Sequence, residues 1–210
     1  VKSSAIKAFV DEINSKKLGL QSFTMVRHDK VFAQGFWKPY AADIPHVLYS
    51  MSKSVTSTAV GFAIDEGLLS LDDKVSDFFP EYFSSKLPVN KMLTVRMLLT
   101  MRSDKFITVL DEKGDKDWIK QFFDATFMLP PNTKFNYISE NTFMLSAIIS
   151  KVTGMSMVDY LNLKMFAPLG IEKPFWETDG KGNNAGGWGL YMKSEDLAKF
   201  FLPYIHGGKW

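Results

Sequence analysis

Ile6, Phe9, Val10 and Ile13 recur at helical spacing, and Leu18-Gly19-Leu20 stops that helix. Two short runs follow, Ser22 to Arg27 and Val31 to Phe36, joined at His28-Asp29-Lys30, and they predict a β-hairpin. The helical period returns at Tyr49 and passes through Met51, Val55, Ala59, Phe62 and Ala63, with Gly67 as its left-handed stop. Leu68 to Val89, rich in Asp and Pro, reads as a loop, and Thr94 caps a short helix carrying Val95, Leu98 and Leu99.

Lys116 to Phe127 is helical in pattern, with Pro130-Pro131 as its end. Ser139 or Asn141 opens the next helix, which carries Phe143, Leu145, Ile148 and Ile149 and ends at Gly154; Ser156 caps another to about Phe166. Gly180 to Gly189 lacks the strand and glycine spacing of a phosphate loop and reads as a flexible loop. Ser194 caps a last amphipathic run through Leu197, Phe200 and Phe201, which Pro203 should kink or shorten.

One hairpin among so many helices is an imbalance, because an isolated hairpin is marginal in water. Either helices cover both its edges, or further strands beyond Trp210 complete the sheet. The large apolar residue ending His206-Gly207-Gly208-Lys209-Trp210 favours the second expectation.

The 210 residues suffice for one large domain or two closely packed lobes, burying on the order of 70% of the unfolded surface. Cysteine is absent, which excludes disulfides, thiolate catalysis and thiolate metal sites. His28, His46 and His206 are scattered and offer no paired ligand spacing, so no metal is expected. The net charge of +2 comes from 25 basic and 23 acidic residues mixed along the chain, without the basic block a nucleic-acid footprint needs. No apolar run approaches a membrane span. The chain starts with Val rather than Met, so an earlier segment such as an export signal could have been removed, and compartment stays open between cytosol and export.

Candidate chemistry begins at Ser50-Met51-Ser52-Lys53. Residues three apart share a helix face, so a hydroxyl and an amine meet there, and serine needs such a partner to become a nucleophile. The spacing recurs at Ser4 to Lys7, on what reads as a solvated face of the first helix, so context must decide. Tyr137, on the constrained loop after Pro130-Pro131, is a second candidate: a nearby ammonium would favour its phenolate and make it a usable base. Phe36, Trp37, Tyr40, Trp176 and Trp188 either line an apolar pocket or anchor loops.

Over nearly its whole length the chain resembles the serine β-lactamase-like superfamily of class C β-lactamases, related esterases and D-alanyl-D-alanine peptidases. The resemblance is carried in order by Tyr49-Ser50-Met51-Ser52-Lys53-Ser54, Glu66-Gly67-Leu68-Leu69-Ser70-Leu71-Asp72-Asp73 and Thr94-Val95-Arg96-Met97-Leu98-Leu99-Thr100. It continues in Phe135-Asn136-Tyr137-Ile138-Ser139, Lys151-Val152-Thr153-Gly154, Pro168-Leu169-Gly170-Ile171 and Gly186-Gly187-Trp188-Gly189-Leu190. It implies an α+β fold over residues 1–210, with an antiparallel sheet packed with helices beside a mostly helical lobe. It implies Ser50 as acylated nucleophile, Lys53 as the amine sharing its proton and Tyr137 as partner of both, with either Lys53 or Tyr137 as base. Ser139 would hydrogen-bond Lys53 or the substrate, and Trp188 would contact the substrate, a small ester, amide or lactam; no cofactor is required.

Two departures qualify the resemblance. Where relatives carry Thr-Ser-Gly after the Leu-Leu-Thr element, this chain has Thr100-Met101-Arg102-Ser103-Asp104. The family's third element, Lys-Thr-Gly or an equivalent on a late strand, is not found, and His206-Gly207-Gly208 follows a helix instead. In relatives those strands complete the sheet and supply one oxyanion-hole N–H, Ser50 supplying the other. The loss of one such donor costs about 10² to 10³ in rate, so this chain alone is expected to be impaired and to be part of a longer enzyme. The competing expectation is a non-catalytic ligand-binding or sensor domain of the same fold.

Overall fold

The computed structural model describes residues 1–82, 88–106 and 117–209. In chain order the elements begin with α1 (Ser3–Ser15), β1 (Ser22–Arg27), β2 (Lys30–Phe36), β3 (His46–Val47) and α2 (Ser52–Asp65). They continue with α3 (Val75–Phe78), α4 (Val95–Leu99), α5 (Trp118–Asp124), α6 (Glu140–Thr153), α7 (Met157–Leu161), β4 (Tyr191–Met192) and α8 (Ser194–Ile205). Two compact units result, one formed by Val1–His46 with the chain from Met192 onward, the other by Val47–Tyr191.

In the first unit β1 and β2 pair antiparallel from Ser22 opposite Phe36 to Arg27 opposite Lys30, with an irregularity between Met25 and Val26. His28 and Asp29 both take left-handed backbone (φ 50° and 60°), as a two-residue turn that follows the strand twist requires. Phe9 of α1 meets Phe23 edge to face at 5.3 Å, yet α1 buries no residue completely and the strands are at most half-buried. The sheet is therefore small and half-exposed, which fits an α+β fold with an incomplete sheet. Ser194 is the first residue of α8 rather than its cap, and its hydroxyl is spent on Thr24 Oγ1 at 2.7 Å. Pro203 does not shorten α8, because it stands in the last turn and the helix ends two residues later.

The second unit is built around α6. Every residue from Glu140 to Ile149 is buried, because α2, α3, α4, α5 and α7 all pack against it. The sequence suggested one apolar face; the structure surrounds the helix. Full burial of side chains such as Phe143 and Ile148 stabilises by about 1.5–3 kcal/mol each. Gly154 closes α6 in left-handed backbone (φ 71°), and Ser156 Oγ accepts the Asp159 N–H to open α7, as the sequence predicts.

Other boundaries differ from the sequence reading, among them the helix read from Ser156 to about Phe166, which is α-helical only to Leu161 and continues as a π-helical turn over Asn162–Phe166. The stretch read as a loop from Leu68 to Val89 contains α3 and 3-10 turns at Pro80–Tyr82 and Pro88–Met92, with 83–87 outside the described residues. The helix expected over Lys116 to Phe127 spans Trp118–Asp124, Lys116 lying outside the described residues. It stops well before the prolines, because Ala125 turns extended and Phe127 bridges to Lys105.

Lys105 has no exposed surface. Its Nζ donates to the Phe123 and Ala125 carbonyls at the end of α5 (3.4 and 2.8 Å) and lies 5.0 and 4.2 Å from the Phe122 and Phe127 ring centroids. Burial lowers its pKa to about 7, with the Asp124 charge opposing only in part. A neutral amine still donates two hydrogens, so both carbonyls stay satisfied. The unfolded lysine titrates near 10.5 and binds more protons than the folded one between the two values, so stability rises with pH across that window. Urea midpoints at pH 7 and pH 10 are expected to show this rise in the wild type and its loss in Lys105→Met.

Candidate active site

Ser50 lies in a 3-10 turn, Tyr49–Met51, that runs directly into α2, not in the first α-helical turn that the sequence suggested. The cause is Tyr49, whose φ of 43° is left-handed and unfavourable for a residue with a side chain. Ser50 is exposed, while Lys53, one turn on, is half-buried. The Leu48 N–H donates to the Leu190 carbonyl at 2.8 Å and ties down the chain entering this turn.

Lys53 Nζ gathers the site. It donates to Ser50 Oγ at 3.1 Å, to Ser139 Oγ at 3.0 Å and to the Gly187 carbonyl at 2.7 Å. These three acceptors match the three hydrogens of an ammonium. Tyr137 covers the same nitrogen, with its ring centroid 4.9 Å away, and its hydroxyl interacts with Ser50 and Lys53. Burial acts to raise the Tyr137 pKa, but the hydrogen bonds to Ser50 and Lys53, with the Lys53 charge, outweigh it and bring the phenol below its ordinary value.

Of the two residues proposed to open α6, Ser139 is the one at the cap position, yet its side chain makes no capping hydrogen bond. Its hydroxyl serves Lys53 instead. Glu140, the first residue of α6, is buried, and that burial raises its carboxyl pKa against the opposing pull of its own backbone N–H and the Lys53 charge.

The Gly180 to Gly189 segment departs from the flexible loop expected of it. Asn184 through Gly187 are buried, Thr178 bridges to Asn184, and Thr56 Oγ1 donates to the Gly186 carbonyl at 2.8 Å. A β-carbon on Gly186 would come within 2.5 Å of the Thr142 carbonyl oxygen, and one on Gly187 within 2.9 Å of the Ser139 carbonyl oxygen. The paired glycines are what allow this backbone close enough to offer Lys53 a carbonyl.

Ser50, Lys53, Tyr137 and Ser139 thus meet around one nitrogen. Trp188 is placed differently: its ring packs 5.5 Å from that of Trp118, and its carbonyl accepts from Trp176 Nε1 at 2.8 Å. Trp37 donates to Asn14 and Tyr40 stacks on His46, so these aromatics act as anchors. A cleft of about 310 Å³ beside Trp37 and Tyr40, in the first unit, contains none of the four clustered residues. Ser4 and Lys7 are exposed, and Lys7 pairs with Asp11. The sequence reading did not single out Gly187 or the strained Tyr49, although the glycine pair was a visible signal of close backbone approach. Among the described residues no His, Asp and Glu cluster could hold a metal, and no helix is long and apolar enough to cross a membrane.

The beta-lactamase family model matches residues 6–208. The 6-aminohexanoate-dimer hydrolase of Paenarthrobacter ureafaciens is 26% identical over 205 residues, covering 89% of this chain and 52% of that protein. Penicillin-binding protein 4 of Amycolatopsis lactamdurans is 30% identical over 183 residues, covering 82% of this chain and 44% of that protein. The octameric penicillin-binding protein homologue of Pyrococcus abyssi superposes with a TM-score of 0.79 at 20% identity, over 100% of this chain and 57% of its own. The chain spans about half the length of the curated relatives it matches. The helix-rich unit around α6, the small antiparallel sheet and the family match over almost every residue agree: the chain belongs to the beta-lactamase family.

Proposed function

We propose that the protein is a serine hydrolase that attacks an ester or amide carbonyl through an acyl-enzyme on Ser50. The observation that carries this reading is the convergence on Lys53 Nζ of Ser50 Oγ, Ser139 Oγ and the Tyr137 ring. A hydrolase and a penicillin-binding protein among the relatives support it.

In this reading Ser50 Oγ bonds to the carbonyl carbon and its proton passes to the Tyr137 phenolate, which Lys53 stabilises. Tyr137 is assigned the base because the Lys53 charge helps to bring its phenol below the ordinary value. Collapse of the tetrahedral adduct expels the alcohol or amine, which takes the proton back from Tyr137. Water then adds to the acyl carbon, gives its proton to Tyr137, and the returning proton releases Ser50. Ser139 keeps Lys53 in register, and Trp188 contacts substrate from the segment next to Gly187. The substrate is a small ester, amide or lactam.

A fluorophosphonate probe and a β-lactam, followed by intact-protein mass, test the nucleophile. A single adduct on Ser50 is expected, absent from Ser50→Ala; an unlabelled wild type beside reactive control enzymes would sink the proposal. An adduct that persists for hours without turnover would point to a ligand-binding domain instead.

The pH dependence tests the base. A phenolate base makes the labelling rate climb with pH to a plateau whose midpoint lies below 10, the ordinary tyrosine value, because the Tyr137 pKa is lowered. Tyr137→Phe should be slower by about 10² to 10⁴. A Tyr137→Phe protein that keeps both the rate and the limb would instead make Lys53 the base.

A further inference from the structure

The segment that delivers Tyr137 is held almost entirely by its backbone. Asn132, Thr133, Lys134, Phe135 and Tyr137 are exposed, and only Asn136 is half-buried, so side-chain packing does little to fix it. Apart from the Thr133 N–H and hydroxyl, which also donate to the Pro130 carbonyl, its hydrogen bonds run to residues 101–105, which overlap the stretch in which the chain departs from its family's pattern. Asn132 N–H donates to the Arg102 carbonyl and Asn136 N–H to the Met101 carbonyl, both at 2.8 Å, and Asn136 Nδ2 donates to the Lys105 carbonyl at 3.2 Å. Between them, Thr133 N–H and Lys134 N–H both donate to Asp104 Oδ2, at 3.0 and 3.3 Å.

Asp104 is an expensive residue to place there. It has no exposed surface, its φ of 55° is left-handed, and it forms no ion pair among the described residues. Its buried Oδ1 has no hydrogen-bond partner among the described residues. The neighbouring Lys105 does not compensate it, since that amine turns to the Phe123 and Ala125 carbonyls. Met101 and Asn132, at φ 56° and 69°, are left-handed as well. Three strained residues thus lie in the two stretches that lead to one phenol, and strain of this kind collects where a geometry must be held.

We propose that Asp104 is a positioning residue for Tyr137: its carboxylate clamps the backbone of Thr133 and Lys134 and so fixes the strap that holds the phenol against Ser50 and Lys53. The inference rests on the reading of Ser50, Lys53 and Tyr137 as the reacting groups. Without the clamp the strap keeps its two ends but loses its middle, and a displacement of about 1 Å is enough to cost on the order of 10²-fold in rate.

The test is fluorophosphonate labelling of Ser50 across pH in the full-length protein, with thermal melts as the measure of folding. Asp104→Ala is expected to fold, to label about 10- to 100-fold more slowly, and to shift its rate limb upward towards the ordinary tyrosine value. Asp104→Asn retains a side-chain acceptor and should recover most of both. If Asp104→Ala does not fold, Asn136→Ala, which releases the same strap from Lys105, is read by the same criteria. A folded variant with the wild-type rate and limb, or with a slower rate on an unmoved limb, overturns the positioning role. Tyr137→Phe serves as the control that separates the two claims: wild-type labelling in that variant removes the phenol from the chemistry, and the clamp's role with it, whereas a slow Tyr137→Phe beside normal Asp104 variants refutes the clamp alone.

Discussion

An ammonium group held at the edge of an apolar core must find acceptors for its hydrogens, and Lys53 finds them on three segments that are far apart in sequence. The turn before α2, the start of α6 and the glycine pair at 186–187 each supply one oxygen. The demand is geometrical as well as electrostatic. Gly187 can approach only because it lacks a side chain, and Ser139 reaches Lys53 only because the buried α6 holds its first turn still. Packing of α6 and placement of the polar cluster are therefore a single problem for this sequence.

Backbone strain marks the same region. Of the left-handed residues other than glycine, Tyr49, Met101, Asp104 and Asn132 all belong to the second unit, one directly before Ser50 and three in the stretches that lead to Tyr137. Among the described residues of that unit, α2 and α6 bring a set of fully buried apolar side chains next to these stretches. Rigid surroundings are what allow such conformations to persist, since each costs of order 1–3 kcal/mol and would relax in a looser setting.

What could be read from the sequence follows from how local each signal is. Ser50 and Lys53 lie one helical turn apart, so their meeting was legible from spacing, and Gly67, Thr94, Gly154 and Ser156 announced helix ends through backbone chemistry that acts within a few residues. Tyr137 and Ser139 became legible only through the order of motifs shared with a family, because their approach to Lys53 is a tertiary event. The glycine pair signals close backbone approach but not what its carbonyl holds, and the Tyr49 backbone carries no side-chain signature for its role. Lys105 drew no reading from the sequence and Asp104 only as part of the departure after Leu-Leu-Thr, because nothing in their neighbours announces that both are wholly buried. The early end of α5 escaped notice for the same reason, since the pairing of Phe127 with Lys105 crosses a long sequence interval.

Ser139 occupies a position where serine would ordinarily satisfy the first free amides of a helix, yet its oxygen is committed to Lys53. One atom cannot do both tasks. A cap of that kind is usually worth about 1 kcal/mol, so α6, the helix on which the whole unit is assembled, goes without a common source of rigidity at the end where the chemistry would occur. Variants chosen purely for heat resistance would be drawn to this residue, and the ones that anchored the helix better would leave the amine one oxygen short.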